Sequence, residues 1–169
     1  MEIKELISEE NIKEKIKQLA KTIQKDFNNE EIVLICVLKG AVFFATELAK
    51  NISSPLILDF TKVSSYKGTQ STGIIHFDLN ISTDIKDKNV IVVEDIIDTG
   101  RTLSYLKSYL EEKKPKSLKL CTLLDKKERR EFDLESDYVC FNIPDKFVIG
   151  YGLDYDEKYR NLPYIGYIE

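Results

Sequence analysis

The chain has 169 residues, of which 43% are hydrophobic and 32% charged, and its formal net charge is −4 at pH 7. This composition predicts one globular, soluble domain and excludes a disordered chain. The acidic balance argues against nucleic-acid binding, which needs a basic surface, and no apolar run reaches the roughly 18 residues of a membrane span. Residues 1–5 lack the layout of a signal peptide, so a cytoplasmic location is expected.

The first predicted element is a helix that Ser8 caps, because apolar residues then recur at helical spacing from Ile12 to Ile23. The continuous apolar run at 32–38 and the apolar stretches at 90–93 and 118–124 predict strands that are buried on both faces of a parallel sheet. Tight turns follow the first two strands and lead into amphipathic or apolar helices. Alternation of this kind is typical of α/β proteins.

Two segments depart from this alternation. Strand-like residues at 56–63 and 74–79 flank a polar, glycine-bearing connector that is longer than an ordinary hairpin turn. The aromatic-rich tail predicts short strands in a small lobe. We therefore expect a single domain over 1–169, with a mostly parallel central sheet flanked by helices, a long flexible two-stranded flap at about 56–79 and a C-terminal hood at about 138–169.

The three cysteines, Cys36, Cys121 and Cys140, each lie inside an apolar run, so they are expected to be small buried core residues. A zinc site is not expected, because His76 is the only histidine and no Cys-x-x-Cys pair is present.

The strand at 90–93 runs into three carboxylates, Glu94, Asp95 and Asp98, and then into the turn at 99–102. Open α/β sheets bind ligands beyond the carboxyl ends of such strands, and free N–H groups at a helix N-terminus suit a phosphate. The carboxylates suit sugar hydroxyls, a metal ion or a proton to be moved. The alternative is an acidic loop with an ordinary helix cap.

Other candidate residues have alternatives of the same kind. Lys39 and Gly40 follow a buried strand as a second candidate anion site, although a surface turn would look alike. Lys126 also follows a buried strand, but its charged neighbours could be a solvated run. Phe147 could stack on a heterocycle or lie in the core, and Asp154 with Arg160 at 154–160 could be a surface ion pair.

The order of strand, Glu-Asp, two apolar residues and Asp-Thr-Gly-Arg-Thr resembles the phosphoribosyl pyrophosphate signature of the type I phosphoribosyltransferases. Further matches at 38–40, 65–66, 123–126 and 143–162 extend the resemblance over nearly the whole chain. Together they are similar to the hypoxanthine-guanine phosphoribosyltransferases, bacterial branch.

The resemblance implies transfer of ribose 5-phosphate from phosphoribosyl pyrophosphate to N9 of a 6-oxopurine, which gives IMP or GMP and pyrophosphate. It implies that Asp98 is the general acid/base at purine N7 and that Glu94 and Asp95 hold the ribose hydroxyls, directly or through Mg²⁺. The implied ligands of the 5′-phosphate are Thr99, Gly100, Arg101 and Thr102.

Further roles come from the same resemblance. It implies that Lys126 donates to purine O6, that Phe147 stacks on the ring and that the Val148 backbone reads the ring edge. The implied pyrophosphate ligands are Lys39, Gly40 and Arg160; Asp154 would bind a second Mg²⁺; Ser65 and Tyr66 would belong to a lid at 64–73. Members often have a cis peptide at the position of Leu38 and Lys39, and they are usually homodimers or homotetramers.

Three other functions stay open from the sequence. One is a regulator of the same fold that binds a nucleotide and acts on RNA, and another is a pyrimidine- or xanthine-directed transferase. A generic nucleotide-binding module is the third, although it would need neither Asp98 nor a long flap. The preference among hypoxanthine, guanine and xanthine is not fixed by these residues.

Overall fold

The computed structural model describes residues 1–65 and 75–169, which form a six-stranded sheet, a three-stranded sheet and three α-helices. The helices are α1 Glu9–Asp26, α2 Val42–Asn51 and α3 Arg101–Glu111. The strands are β1 Ile3–Ile7, β2 Ile32–Val37, β3 Leu56–Ser65, β4 Ile75–Leu79, β5 Asn89–Ile97, β6 Ser117–Asp125, β7 Tyr138–Asn142, β8 Val148–Ile149 and β9 Ile165–Ile168.

The large sheet has the strand order β4-β3-β2-β5-β6-β7, and all neighbours are parallel except β3 and β4. Every residue of β2 is buried, as its uninterrupted apolar sequence predicts. Its successive side chains point to opposite faces, so Leu34 packs in one core and Val33 in a second core on the other side. The predicted α/β arrangement is therefore present, with a hydrophobic core on each face of the sheet.

The helices divide between these two cores. Ser8 caps α1 as predicted, because its Oγ accepts a hydrogen bond from Asn11 N at 3.1 Å. Helices α1 and α2 bury their apolar faces in one core, and α3 buries Leu103, Leu106 and Leu110 in the other. The helices thus cover both faces of the sheet, and the ends of its strands remain uncovered by them.

The three-stranded sheet has the order β1-β9-β8, with both pairs antiparallel. It corresponds to the predicted hood, but the hood begins later than 138, because β7 pairs in parallel with β6 in the large sheet. The N-terminal strand β1 was not predicted from the sequence. Its partner β9 lies at the other end of the chain, and so short a strand carries little local signal.

The predicted flap corresponds in part to the antiparallel pair of β3 and β4. The first part of β3, from Leu56 to Thr61, pairs with β2 in the large sheet, and only Lys62 to Ser65 pair with β4. Most of the predicted lid, including Tyr66, lies outside the described residues. Closure of a lid therefore stays a prediction.

All three cysteines are buried and free, as expected from their apolar neighbours. Burial raises the pKa of Cys36 and of Cys140 to about 12, which disfavours the thiolate form of both. Among the helices of the described residues, none is long and apolar enough to span a membrane.

Candidate active site

Three neighbouring parallel strands, β2, β5 and β6, end at the same edge of the large sheet. The turns that follow them carry Lys39, Asp98 and Lys126. Lys126 N donates to the carbonyl oxygen of Ile97 at 3.0 Å, which holds the turn after β6 beside the turn after β5. The topology therefore brings together candidates that the sequence places far apart.

Glu94 and Asp95 lie within β5, because this strand continues past the apolar run to Ile97. Both side chains are half-buried, and each accepts a backbone hydrogen bond: Glu94 from Asp95 N at 3.1 Å, and Asp95 from Ile96 N at 2.7 Å. Burial raises the pKa of Glu94 well above its ordinary value, and the negative charge of Asp95 adds to this effect. Two crowded carboxylates are thus placed where a cation or hydroxyl donors would relieve their repulsion.

The turn at 98–100 leads directly into α3. Gly100 has a φ of +85°, a left-handed conformation that glycine adopts without strain. The first N–H of α3, that of Arg101, donates to Thr99 Oγ1 at 3.3 Å. The N–H groups that come next in the first turn of a helix lack partners within the helix, so they are available to an anion. Arg101 Nε is buried and has no hydrogen-bond partner among the described residues.

These features line a cleft of about 160 Å³ that is formed by residues 94 and 96–103. Its shape and its donors, namely backbone N–H groups, threonine hydroxyls and a guanidinium, suit a phosphate monoester. The carboxylate of Glu94 lies at the same cleft.

Asp98 is in contact with an arginine that was not predicted to belong to the site. Its Oδ1 lies 2.8 Å from Arg129 Nε, but the N–H is not aimed at the oxygen, so this buried atom makes no hydrogen bond in the described part of the chain. The backbone carbonyl of Asp98 accepts from Arg130 Nε at 3.2 Å. Two consecutive arginines therefore surround the proposed acid/base.

Lys126 is buried, and its Nζ lies 3.9 Å from Asp145 Oδ1. This contact joins the turn after β6 to the segment that carries Phe147 and Val148. Phe147 is 51% exposed, and its ring packs edge-to-face on Tyr155 with the ring centroids 5.7 Å apart. A buried amine and an exposed aromatic residue, on two segments that this contact joins, suit a flat, polar heterocycle.

The turn after β2 meets both β5 and the small lobe. Its Leu38–Lys39 peptide bond is cis. A Cβ on Gly40 would overlap Asp95 Oδ2, and a Cβ on Gly152 would overlap the carbonyl oxygen of Gly40. Gly152 also has a φ of +101°, so both its backbone conformation and its surroundings require glycine.

Lys39 and Arg160 are joined through a carboxylate. Glu157 Oε2 lies 2.8 Å from Lys39 Nζ, and Glu157 Oε1 lies 3.1 Å from Arg160 Nη2. Arg160 Nη1 donates to the carbonyl oxygen of Gly152 at 2.7 Å, and Asp154 Oδ1 lies 3.6 Å from Nη2. The structure therefore brings together all the residues that the resemblance relates to pyrophosphate.

A larger cavity, of about 590 Å³, lies at the opposite, amino-terminal ends of β5 and β6. Its ionisable groups pair with one another, Lys116 with Glu30 at 3.1 Å and the Tyr138 hydroxyl with Asp26 at 2.7 Å. These groups are already satisfied, so we place the chemistry at the carboxyl edge of the sheet.

Comparison with known proteins identifies the family. A model of the phosphoribosyl transferase domain matches residues 2–156. A hypoxanthine-guanine phosphoribosyltransferase of Streptococcus thermophilus is 48% identical over 165 residues, which cover 97% of this chain and 92% of that protein. The hypoxanthine-guanine phosphoribosyltransferase of Streptococcus pneumoniae is 47% identical over 167 residues, which cover 98% of this chain and 93% of that protein. The chain belongs to the hypoxanthine-guanine phosphoribosyltransferase family.

Solved structures of this family match nearly the full length of the chain. A Bacillus anthracis hypoxanthine-guanine phosphoribosyltransferase with HEPES in its active site gives a TM-score of 0.95 at 53% identity and covers 99% of this chain and 100% of its own. A Trypanosoma cruzi hypoxanthine phosphoribosyltransferase in complex with IMP gives a TM-score of 0.93 at 40% identity. The match covers 98% of this chain and 93% of the other. The predicted type I phosphoribosyltransferase fold is thereby confirmed.

The resemblance to this family implies that carboxylates of the site bind Mg²⁺. Within residues 1–65 and 75–169, no three His, Cys, Asp or Glu side chains form one cluster that could hold a metal ion. Glu94 with Asp95, and Asp154 by itself, are oxygen donors of the kind Mg²⁺ takes, one or two carboxylates beside substrate oxygens. The crowding that raises the pKa of Glu94 fits a cation there.

Several residues at the site of this chain were not predicted from its sequence. Glu157 lies in a charged, aromatic stretch with no pattern of its own, and the arginines stand in a run that resembles a solvated surface. A signal was available for Asp125, since a carboxylate that ends a buried strand needs a partner. The missed residues are Asp125, Arg129, Arg130, Asp145 and Glu157.

Proposed function

We propose that this protein transfers ribose 5-phosphate from phosphoribosyl pyrophosphate to N9 of a 6-oxopurine, forming IMP from hypoxanthine and GMP from guanine. One observation carries the proposal. At the end of one strand lie the carboxylates of β5, then the proposed acid/base, and then the turn at 99–102 that is proposed to bind phosphate. Lys126 lies directly beside this strand end. The names of the relatives support the same reaction.

The reaction breaks the bond from C1′ to pyrophosphate and forms the bond from C1′ to N9. Positive charge develops on the ribose, and Glu94 and Asp95 stabilise it by Coulomb attraction in a partly dry cleft. Negative charge develops on pyrophosphate, and the cations of Lys39 and Arg160 stabilise it. Mg²⁺ at these carboxylates would supply further positive charge for the phosphate oxygens.

Asp98 is proposed to take the proton from purine N7 and to return it in the reverse reaction. A positioned carboxylate is suited to this step, and the guanidinium of Arg129 lies beside its Oδ1. Arg130 holds the backbone of residue 98, so the side chain projects from a fixed point.

The purine is proposed to lie between Lys126 and Phe147. The amine of Lys126 would donate to O6, while the exposed ring of Phe147 would stack on the base. Val148 lies on the edge strand of the small sheet. Because Phe147 O accepts from Ile168 N at 3.2 Å, the alternation of antiparallel pairing turns the N–H and C=O of Val148 away from β9. These groups would then be available to pair with the purine edge.

A purine panel tests the function. With Mg²⁺ and phosphoribosyl pyrophosphate, we expect hypoxanthine to give IMP, while adenine has a kcat/KM at least about a hundredfold lower, since a 6-amino group leaves the buried Lys126 amine opposite another donor. In Lys126→Met the gap between the two bases should shrink. Equal turnover of adenine and hypoxanthine by the parent, or turnover of uracil alone, would contradict the proposal.

Three further properties are proposed on the same basis. The protein acts in the cytoplasm, it assembles as a homodimer or homotetramer, and a lid that includes Ser65 and Tyr66 covers the reacting sugar. They rest on the resemblance to the family.

A further inference from the structure

Glu157 makes an unusual set of contacts for an exposed carboxylate. Each of its two oxygens binds a different cation, Lys39 Nζ at 2.8 Å and Arg160 Nη2 at 3.1 Å. The bonds from Lys39 and Arg160, together with their charges, lower the pKa of Glu157, so it is ionised whenever the enzyme works near neutral pH. These are the two cations that are proposed above to bind pyrophosphate.

The backbone conformation at residue 157 indicates that the Glu157 side chain has a specific role. Tyr155 and Lys158 exchange two backbone hydrogen bonds, each of 3.0 Å, around a tight turn whose central residues, Asp156 and Glu157, have φ of +52° and +64°. Positive φ at both central positions is the type I′ turn, in which glycine is preferred at the second. A glutamate there is strained, and strain of this kind is found where a side chain is required.

The turn also fixes where the carboxylate lies. Glu157 N donates to Asp154 Oδ2 at 2.9 Å, and Arg160 is held by the carbonyl oxygen of Gly152. The carboxylate therefore meets Lys39 across the junction between the small lobe and the turn after β2.

We propose that Glu157 is an internal competitor of pyrophosphate: its carboxylate binds Lys39 and Arg160, and pyrophosphate must displace it from both cations. The carboxylate thereby weakens the binding of pyrophosphate and of the pyrophosphate group of the substrate, and it returns to the cations as the product leaves. Glu157 is in this sense a residue that sets affinity and release, and it takes no part in the chemical step. This inference rests on the proposed function.

The competition is weak enough to permit turnover. The side chains of Lys39 and Glu157 are 49% and 63% exposed, so water and salt screen their attraction. Exposed pairs of this type are typically worth less than a tenfold change in an equilibrium constant, so the two pairs together should change the affinity for pyrophosphate by about three- to tenfold.

The test is the Glu157→Gln variant, which keeps the shape of the side chain and removes its charge. We expect the Kd of magnesium pyrophosphate, measured by calorimetry, to fall about three- to tenfold. Product inhibition by pyrophosphate should strengthen by a similar factor, and the KM for phosphoribosyl pyrophosphate should fall in the same direction.

Two further variants make the result specific. Asp156→Asn removes the same charge one residue away, from a side chain that forms no ion pair with any residue of 1–65 or 75–169, and it should leave the Kd unchanged. Glu157→Gly removes the carboxylate and relieves the turn, so it should fold and bind pyrophosphate more tightly. An unchanged or higher Kd in Glu157→Gln and Glu157→Gly would overturn the proposal, as would equal tightening in Asp156→Asn.

The parent enzyme separates this inference from the proposed function. If the parent makes no nucleotide and binds no pyrophosphate, the proposed function has failed. If the parent is active and the Glu157 variants bind pyrophosphate as the parent does, only the competition has failed.

Discussion

The Cα of Gly40 lies against the carboxylate of Asp95, so closely that a Cβ on residue 40 would overlap Oδ2 and lie 2.6 Å from Cγ. This contact joins the turn after β2 to the carboxylates within β5. It means that the proposed pyrophosphate and ribose ligands are held in one packed unit, and that the smallest side chain at residue 40 would disturb both.

We therefore expect Gly40→Ala to lower kcat/KM for phosphoribosyl pyrophosphate by about 10²-fold, because a shift of about 1 Å in a positioning group costs this much. Steady-state kinetics measure the loss. Gly166→Ala is the control, since a Cβ in that strand would crowd Ile3 Cγ2 at 2.9 Å in the small sheet. Gly166→Ala should lower the Tm and leave kcat/KM close to that of the parent. A Gly40→Ala enzyme with the kinetics of the parent would contradict the packing argument.

Asp98→Asn tests the acid/base. The amide keeps the shape of the side chain and cannot take a proton, so kcat should fall by about 10² or more, while the Kd of phosphoribosyl pyrophosphate stays close to that of the parent. Single-turnover kinetics and equilibrium binding give the two quantities separately. If kcat stays within a few-fold of the parent, Asp98 is a structural residue of the turn, and another group moves the proton.

Local patterns predicted the elements of the fold because burial and periodicity are local properties of the chain. The apolar run of β2, the Ser8 cap and the leucines of α3 each carried their own evidence. Strand β1 and the start of the hood were not predicted correctly, because both depend on which strands pair. Pairing is decided by contacts between distant parts of the chain.

The site was predictable to the extent that motifs carry it. The predicted positions of Lys39, Asp98 and Lys126 at one sheet edge agree with the topology, since carboxyl ends of parallel strands meet there. Arg129 and Glu157 could not be found in this way, because an ion pair between a turn and a distant segment leaves no periodic signal. Their contacts became visible only with side-chain positions.

Arg130 is expected to stabilise the fold through the buried carboxylate of Asp125. Its guanidinium pairs with Asp125, which is fully buried, and also donates to the carbonyl oxygens of Leu134 and Asp98. Arg130→Met would leave a buried charge without a partner, so the free energy of unfolding should fall by about 3–5 kcal/mol. Urea denaturation measures this loss.

The double variant Asp125→Asn with Arg130→Met separates the two causes. It removes the buried charge as well as its partner, so it should recover more than half of the stability lost in Arg130→Met. A double variant that is only as stable as Arg130→Met would show that the lost bonds to the carbonyl oxygens of Leu134 and Asp98 dominate instead.

Asp59 should make the stability depend on pH. Burial by itself raises the pKa of this carboxyl, but hydrogen bonds from Thr83, Phe60 and Ser82 outweigh burial, and the pKa of Asp59 is lowered in the folded state. A lowered folded pKa means that the folded state favours the ionised form. Its contribution is therefore fully present above the unfolded value of about 4, and it is lost as the pH falls through the lower folded value.

Asp59→Asn replaces one carboxylate oxygen with an NH₂ group, which cannot accept a hydrogen bond. If Oδ2 is replaced, the N–H groups of Ser82 and Thr83 lose their acceptor; if Oδ1 is replaced, the N–H of Phe60 does. We expect the free energy of unfolding to fall by about 1–3 kcal/mol at pH 7, and the gap from the parent to narrow as the pH falls below about 4. Asp133→Asn, which removes an exposed carboxylate, should show almost no gap at either pH. Urea denaturation of the three proteins between pH 3 and pH 7 decides the matter. A gap of the same size at both ends of the range would show that the ionised form of Asp59 contributes nothing to the stability of the fold.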